Sequence, residues 1–324
     1  GANTTADYNT AVGYASLAVN TTGASNVAVG PFALDANTTA SNNTGIGYGA
    51  LGANTTGASN VAVGYETMLT NTTASNNTAL GSSSLRGNTT GTNNVAVGTS
   101  ALYTNSTGSG NTALGRQALD VNTTADDNTA VGYGALGANT TGGNNVAVGK
   151  DALLGNTTAN NNTAVGLQSL KTNSTGAGNT AVGRDALEAN TTASNNTAVG
   201  YDALTANTSG TDNVAVGANA LDANTTGDNN TAVGDNALGA NTTADYDTAV
   251  GADALLVVTT GAQNTALGYA AATAMTTGGE SVAVGFGSLA ANTTGNYNVA
   301  VGHSSLDANT DGVNNVAMGN YALG

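Results

Sequence analysis

The stretch NTAVGYGALGANTTGGN (residues 128–144) decides the fold, because the chain repeats it with small changes along its whole length. The next two copies read NVAVGKDALLGNTTANN (145–161) and NTAVGLQSLKTNSTGAG (162–178). The glycine that closes the Ala-Val-Gly motif falls at Gly13, Gly30 and so on to Gly319, always one full copy after the last, without insertion or deletion. Such a period indicates a repeat architecture. We number the unit from its first Asn, so that the invariant Gly is position 5, Leu is position 9 and the second recurrent Asn is position 12.

The composition excludes several classes of protein. The 324 residues include 46 Gly, 1 Pro, no Trp and no Cys, and only 4% are aromatic. A core of bulky side chains is not available, yet apolar residues recur at fixed positions, which is not typical of a disordered chain. The lack of Cys excludes a disulfide scaffold and a thiolate metal site. A net charge of −15 repels phosphate backbones and predicts no nucleic-acid partner. No apolar run approaches the roughly 18 residues of a membrane span, so we expect no membrane insertion by this segment.

The unit predicts short parallel strands. Its Thr-Ala-Val or Val-Ala-Val segment is apolar or β-branched and is stopped by Gly, while more than two Gly per unit disfavour helix. The dipeptide Asn-Gly, the strongest signal for a two-residue hairpin, does not occur. We therefore predict an all-β fold, a parallel β-solenoid (β-roll) of about 19 coils with about 17 residues per coil. Successive coils should stack at about 4.8 Å, so that like residues form ladders.

Four positions of the unit are expected to form structural ladders. Leu at position 9 should fill the interior, with each buried side chain contributing roughly 1.5–3 kcal/mol. Asn at position 12 should lie at a bend and bond the backbone and the neighbouring Asn. Gly at position 5 indicates a positive φ or a backbone too crowded for a Cβ. In the three central coils the predicted ladder residues are Val131, Gly132, Leu136, Asn139, Val148, Gly149, Leu153, Asn156, Val165, Gly166, Leu170 and Asn173.

The strand is apolar, or nearly so, on both faces. Position 3 is Ala in all units but one, position 4 is Val, Ile, Leu or Met, and position 2 is Thr in eleven units and Val in eight. Positions 3 and 4 must face opposite sides of the strand, so one of them faces outward. A long apolar ladder in water would be an aggregation template. We therefore predict that the chain associates with copies of itself along this face.

Two runs resemble a known family of surface proteins. Asn144-Asn145-Val146-Ala147-Val148-Gly149 and NVAVGHSS (298–305) are similar to the head repeats of trimeric autotransporter adhesins, which are written around N-S-V-A-I-G-x-x-S. The resemblance implies a left-handed parallel β-roll, three chains around one axis, exposure on a bacterial surface, and adhesion to a host or environmental surface. The family's coil is shorter, and each unit here adds an N-T-T-G-type bend.

The expected function is structural. We predict the rod-like shaft or head of an extracellular fibre or surface adhesin, located outside the cell or at its surface, with a homotrimer or filament as the assembly. Phage tail fibres use similar low-complexity repeats, so a tail-fibre shaft is an alternative. Neither end carries an atypical capping unit, and both Gly1 and Gly324 fall at position 10. We therefore expect residues 1–324 to form a single continuous, uncapped array that is a segment of a longer chain.

No catalytic set, cofactor site or metal site is predicted, and the chain is not expected to be an enzyme. The only His is His303, at an outward position, and the acidic residues at position 7 form no continuous ladder. A second class, a ligand-binding solenoid, stays open, although its ligand residues are unknown. Calcium could bind Asp clusters, and glycans could stack on tyrosines at position 6 such as Tyr48 and Tyr65.

The Asn-Thr-Thr segment has two further interpretations. Sixteen units carry Asn-x-Thr or Asn-x-Ser at positions 12 to 14, formally a glycosylation acceptor. Neighbouring copies would lie about 5 Å apart, so a structural Asn ladder is favoured. An ice-binding face could use the paired Thr ladders, and strand alternation would place Thr141 on the same face as Asn139.

Overall fold

The computed structural model describes residues 3–324 and confirms an all-β, parallel β-solenoid in which each coil is one seventeen-residue unit. Its regular elements are nineteen strands of three residues each, which occupy positions 2 to 4 of the repeat. The described residues contain no helix. By its contacts the chain divides into two compact parts of many repeats each, which we call the first unit (Gly1–Asn161) and the second unit (Asn162–Gly324).

The strands of the first unit are β1 (Thr10–Val12), β2 (Val27–Val29), β3 (Thr44–Ile46), β4 (Val61–Val63), β5 (Thr78–Leu80), β6 (Val95–Val97), β7 (Thr112–Leu114), β8 (Thr129–Val131) and β9 (Val146–Val148). Those of the second unit are β10 (Thr163–Val165), β11 (Thr180–Val182), β12 (Thr197–Val199), β13 (Val214–Val216), β14 (Thr231–Val233), β15 (Thr248–Val250), β16 (Thr265–Leu267), β17 (Val282–Val284), β18 (Val299–Val301) and β19 (Val316–Met318).

Within the first unit and within the second unit, consecutive strands pair in parallel and in register. Each residue lies opposite its counterpart in the next repeat, as in the pair Ala130 and Ala147. The backbone N–H of Thr129 donates to the Asn145 carbonyl at 2.8 Å, and the N–H of Gly149 donates to the Val131 carbonyl at 2.8 Å. Because the period is constant, every coil offers the next one the same row of donors and acceptors.

The interior is made of small residues and one leucine per coil. Ala130 at position 3, Ala135 at position 8 and Leu136 at position 9 have no exposed surface. The middle residue of every strand except β1 is buried, so positions 2 and 4 point outward. The outer strand face is therefore made of Thr or Val at position 2 and of Val, Ile, Leu or Met at position 4. The sequence pattern alone does not decide which of the two strand faces is the outer one.

The buried leucines adopt an uncommon backbone conformation. Leu136 has a φ of 52°, and the non-glycine residues at positions 7, 9 and 17 all have φ values between 47° and 64°. This left-handed region costs roughly 1–2 kcal/mol for a residue with a Cβ. Burial of the Leu136 side chain offsets that cost, as does the hydrogen bond that the backbone N–H of Leu136 donates to the Ala152 carbonyl at 3.0 Å. Left-handed residues at these positions let the coil turn sharply enough to close within a single repeat unit.

Candidate functional site

The predicted ladder residues lie in three different environments. Val131, Val148 and Val165 are on the outer strand face and are half-buried. Gly132, Gly149 and Gly166 have φ values of 131°, 140° and 141°. Leu136, Leu153 and Leu170, together with Asn139, Asn156 and Asn173, have no exposed surface.

The Asn ladder at position 12 ties neighbouring coils together from the inside. The side-chain amide of Asn139 donates to Oδ1 of Asn122 at 3.1 Å and to the carbonyl of Gly142 at 2.9 Å. Oδ1 of Asn139 in turn accepts from the amide of Asn156 at 2.8 Å. The amide of Asn139 is thus satisfied without water, as a buried polar group requires.

A second buried Asn ladder runs along position 1, and sequence reasoning missed its role. The amide of Asn128 donates to the Gly142 carbonyl at 2.9 Å, and its Oδ1 accepts from the backbone N–H of Asn145 at 3.0 Å. The carbonyl at position 15 therefore accepts one bond from each ladder. The available signal was the identity of position 1, which is Asn in every unit except for Asp247 and Ser281.

Replacing Asn139 by alanine is expected to lower the free energy of unfolding of the first unit by about 2–3 kcal/mol. The change removes the donor to Asn122 and the acceptor of Asn156, and a buried polar group left without a partner costs about 1–3 kcal/mol. Chemical denaturation, together with amide hydrogen exchange of the flanking coils, measures the loss. Thr141→Ala at the exposed position 14 is the matched control and should change stability little; equal effects would contradict the buried-ladder assignment.

The burial of Asn at position 12 bears on two expectations, the ice-binding face and the glycosylation acceptor. Asn139 is fully buried whereas Thr141 is exposed, so the prediction that they share an outward face is wrong. Residues 140 and 141 form a bend instead of an extended strand, so strand alternation does not apply there. Because its amide is buried and donates two hydrogen bonds, Asn139 offers no acceptor to a glycosylating enzyme in the folded chain.

Aromatic side chains stack on one another next to the glycine turn. Tyr48 and Tyr65 have ring centroids 5.4 Å apart, with an angle of 14° between the ring planes. In the second unit His303 stacks on Phe286, with centroids 5.0 Å apart. In such pairs the ring faces are turned toward neighbouring coils and the ring edges toward solvent. This arrangement leaves less ring face for a stacked sugar than an isolated tyrosine would.

The acidic residues at position 7 pair with cations where these are adjacent. Asp185 lies 2.9 Å from Nε of Arg184, and Asp151 lies 3.8 Å from Nζ of Lys150. Asp202, in the coil after Asp185, and Asp253, three coils further on, share position 7. Nowhere in residues 3–324 do three or more His, Cys, Asp or Glu side chains converge on a point where a metal ion could bind.

Two clefts of similar construction open between coils of the first unit. Cleft I, of about 420 Å³, is lined by residues that include Asp35, Tyr48, Gly49, Gly52, Glu66 and Leu69. Cleft II, of about 440 Å³, is lined by residues that include Asp120, Tyr133, Gly134, Gly137, Asp151 and Leu154. Each cleft spans three consecutive coils at positions 6 to 11, which the glycine turn separates from the outer strand face.

Comparison with known protein families and with curated proteins gives no match that could assign a function. No protein-family model matches the chain, and no curated protein is similar to it. The described part of the chain has no helix long and apolar enough to cross a membrane.

Proposed function

We propose that the chain is a structural repeat protein that forms the shaft or head of an extracellular fibre or surface adhesin. It assembles with copies of itself, as a homotrimer, through the outer strand face formed by positions 2 and 4. The observation that carries this proposal is a row of apolar side chains that the solenoid holds outward in every coil.

The outer strand face is apolar and carries no charge. No unit has a charged residue at position 2 or 4. Larger side chains on this face stay partly accessible, with Ile46 38%, Leu80 38% and Leu114 39% exposed. An apolar surface that is continuous along many coils favours association, because covering it removes apolar area from water.

The two outward positions of the strand vary together in β2 to β7. Every Ile or Leu at position 4 occurs in a unit that has Thr at position 2, whereas the other units of β2 to β7 pair Val with Val. In seven units elsewhere Thr is followed by Val, so the face is less apolar there. The outer strand face is therefore uncharged in every coil and more apolar in β2 to β7 than in those seven units.

The scaffold suits a mechanical role. Consecutive coils are joined by backbone hydrogen bonds along the strands and by side-chain hydrogen bonds of the two buried Asn ladders. A coil is therefore held to the next one both at its strand and in its interior. Most coils repeat the same contacts, and stability then accumulates with the number of coils.

We expect the chain to have a mass in solution of about three times 31.1 kDa at micromolar concentration. Val63→Lys combined with Val97→Lys places two charges on the outer strand face and should shift the mass to that of the monomer, because a charge buried in an apolar interface is unfavourable. Multi-angle light scattering measures both. Thr90→Lys at the exposed position 14 is the control and should leave the mass unchanged. A monomeric mass for the unmodified chain would refute the proposal.

A further inference from the structure

Clefts I and II are built by the same residue pattern, set five repeats apart. The hexapeptide YGALGA occurs at 48–53 and at 133–138. In both places the preceding coil has Asp at position 10, and the following coil has an acidic residue at position 7 and Leu at position 10. The pattern spreads over three coils. Its Ala and Leu at positions 8 and 9 belong to the common interior, whereas the residues at positions 6, 7 and 10 vary among other coils, so the folding of the solenoid does not require them.

The floor of each cleft is glycine, and its two sides differ in chemistry. A Cβ placed on Gly52 would lie 3.4 Å from Oδ1 of Asp35 and 3.3 Å from Cδ1 of Leu69. In cleft II a Cβ on Gly137 would lie 2.9 Å from Cδ1 of Leu154. A group resting on the floor of cleft I would therefore meet a carboxylate on one side and an aliphatic side chain on the other.

One carboxylate in each cleft lacks a counter-ion. Glu66 is bonded to Arg86 at 2.9 Å, and Asp151 lies 3.8 Å from Lys150. Asp35 and Asp120 are half-buried and have no ion-pair partner among residues 3–324. Burial raises the pKa of both carboxyls, because the charged form loses hydration there. A cation in the cleft would restore the lost stabilisation of that charge.

We propose that clefts I and II each bind a small organic ammonium ion, with its charge on Asp35 or Asp120 and its apolar body against Leu69 or Leu154. Tyr48 and Tyr133 add an aromatic side chain to the lining of each site. The chemistry is that of a primary amine on an aliphatic chain or ring. This proposal is independent of self-association, because the clefts lie at positions 6 to 11 and the outer strand face at positions 2 and 4.

A third place in the chain has the same frame but a filled floor. Asp222, Gly239 and Leu256 repeat the position-10 pattern, yet positions 6 and 7 of the middle coil are Asp235 and Asn236 instead of tyrosine and glycine. The amide of Asn236 lies 3.5 Å from Oδ1 of Asp253, in the place that Gly134 leaves open in cleft II. Asn236 has a φ of 54° and Gly134 one of 66°, so the fold accepts Asn at this position.

The test is calorimetric titration of the 324-residue chain with cyclohexylammonium chloride at physiological salt, which screens the diffuse attraction of an acidic protein. We expect two sites per chain. The double variant Gly49→Asn and Gly134→Asn copies the filled third place and should abolish both sites. Asp35→Asn combined with Asp120→Asn should weaken binding by about tenfold or more, since a bond to a charged group is lost.

The matched control is Asp127→Asn combined with Asp212→Asn. It removes the same charge at the exposed position 17, where other coils already have Asn, and it should leave binding unchanged. Cyclohexanol, the neutral analogue, should bind at least about tenfold more weakly than the amine. The proposal is overturned if the unmodified chain does not bind the amine, if cyclohexanol or a methyl glucoside binds as tightly as the amine, or if the Gly→Asn variant, shown to be folded by circular dichroism, retains both sites.

Discussion

Replacing Gly132 by alanine is expected to destabilise the first unit by about 4 kcal/mol, because backbone strain and overpacking each contribute roughly 1–3 kcal/mol. A Cβ at this position would lie 2.5 Å from the carbonyl oxygen of Gly149 and 2.7 Å from its carbonyl carbon. Both atoms belong to the backbone of the next coil, which hydrogen bonds hold in place. The φ of 131° adds a second cost, because side chains with a Cβ rarely adopt it.

The control for Gly132→Ala is Gly287→Ala, at position 7 of the second unit. A Cβ on Gly287 would meet only Oγ of Ser304, at 3.6 Å, and Ala270 already occupies position 7 of the preceding coil with a φ of 51°. This substitution adds only the cost of a left-handed φ, so it should lower the free energy of unfolding by about 1–2 kcal/mol, clearly less than Gly132→Ala. Urea denaturation with hydrogen exchange of the mutated coil separates the two. Similar losses at Gly132 and Gly287 would show that glycine content, not the contact with Gly149, stabilises the ladder.

The period carries most of the information about the fold. Gly132 and Leu136 recur without insertion, so their stacking follows from a constant spacing, and the β-branched segment before the glycine can only be a short strand. The same reasoning cannot tell which strand face is inside. Ala130 and Val131 are both apolar, and only the structure shows that the smaller side chain, that of Ala130, faces the interior.

The local backbone and the clefts escape sequence reasoning for different reasons. Leucine has no preference for a left-handed φ, so the conformation of Leu136 is imposed by coil closure and not by its own propensity. Asn128 precedes a strand and is polar, which on its own indicates a solvent-exposed loop. Clefts I and II combine residues from three coils, and their shape depends on which side chains meet between one repeat and the next.

One coil of the second unit lacks both of its interior asparagines. Asp247 replaces the Asn of position 1 and Val258 that of position 12, so the carbonyl of Gly261 at position 15 loses the two amide donors that its counterparts have. Asp247 has no exposed surface. Its Oδ1 accepts from the backbone N–H of Asn264 at 2.8 Å, whereas its Oδ2 has no hydrogen-bond partner. By the register of the repeat, Oδ2 occupies the place from which Asn amides donate to the position-15 carbonyl.

Burial, with a smaller contribution from the charge of Asp245, raises the pKa of Asp247 to about 7 against the lowering effect of the hydrogen bonds from Asn264. In the unfolded chain the ordinary aspartate value of about 4 applies. Between these two values the folded chain holds a proton that the unfolded chain has lost, so stability falls as pH rises. The contribution is fully present below pH about 4 and is lost by pH about 7, with a total of about 4 kcal/mol. The protonated carboxyl can donate its O–H where the asparagines donate an N–H, and the carboxylate cannot.

Asp247→Asn is therefore expected to stabilise the second unit by about 4 kcal/mol at pH 8 and to have little effect at pH 4. The variant supplies an amide that donates to the Gly261 carbonyl at every pH and removes the buried charge. Urea denaturation of both proteins between pH 4 and pH 8.5 measures the difference, in which the titration of all other carboxylates cancels. Asp245→Asn, two residues earlier and partly accessible, is the control and should give a much smaller and flatter difference. A pH-independent gain for Asp247→Asn would mean that Asp247 is already ionised in the folded chain at low pH. The missing donors to Gly261 would then have to be replaced by a group other than its carboxyl.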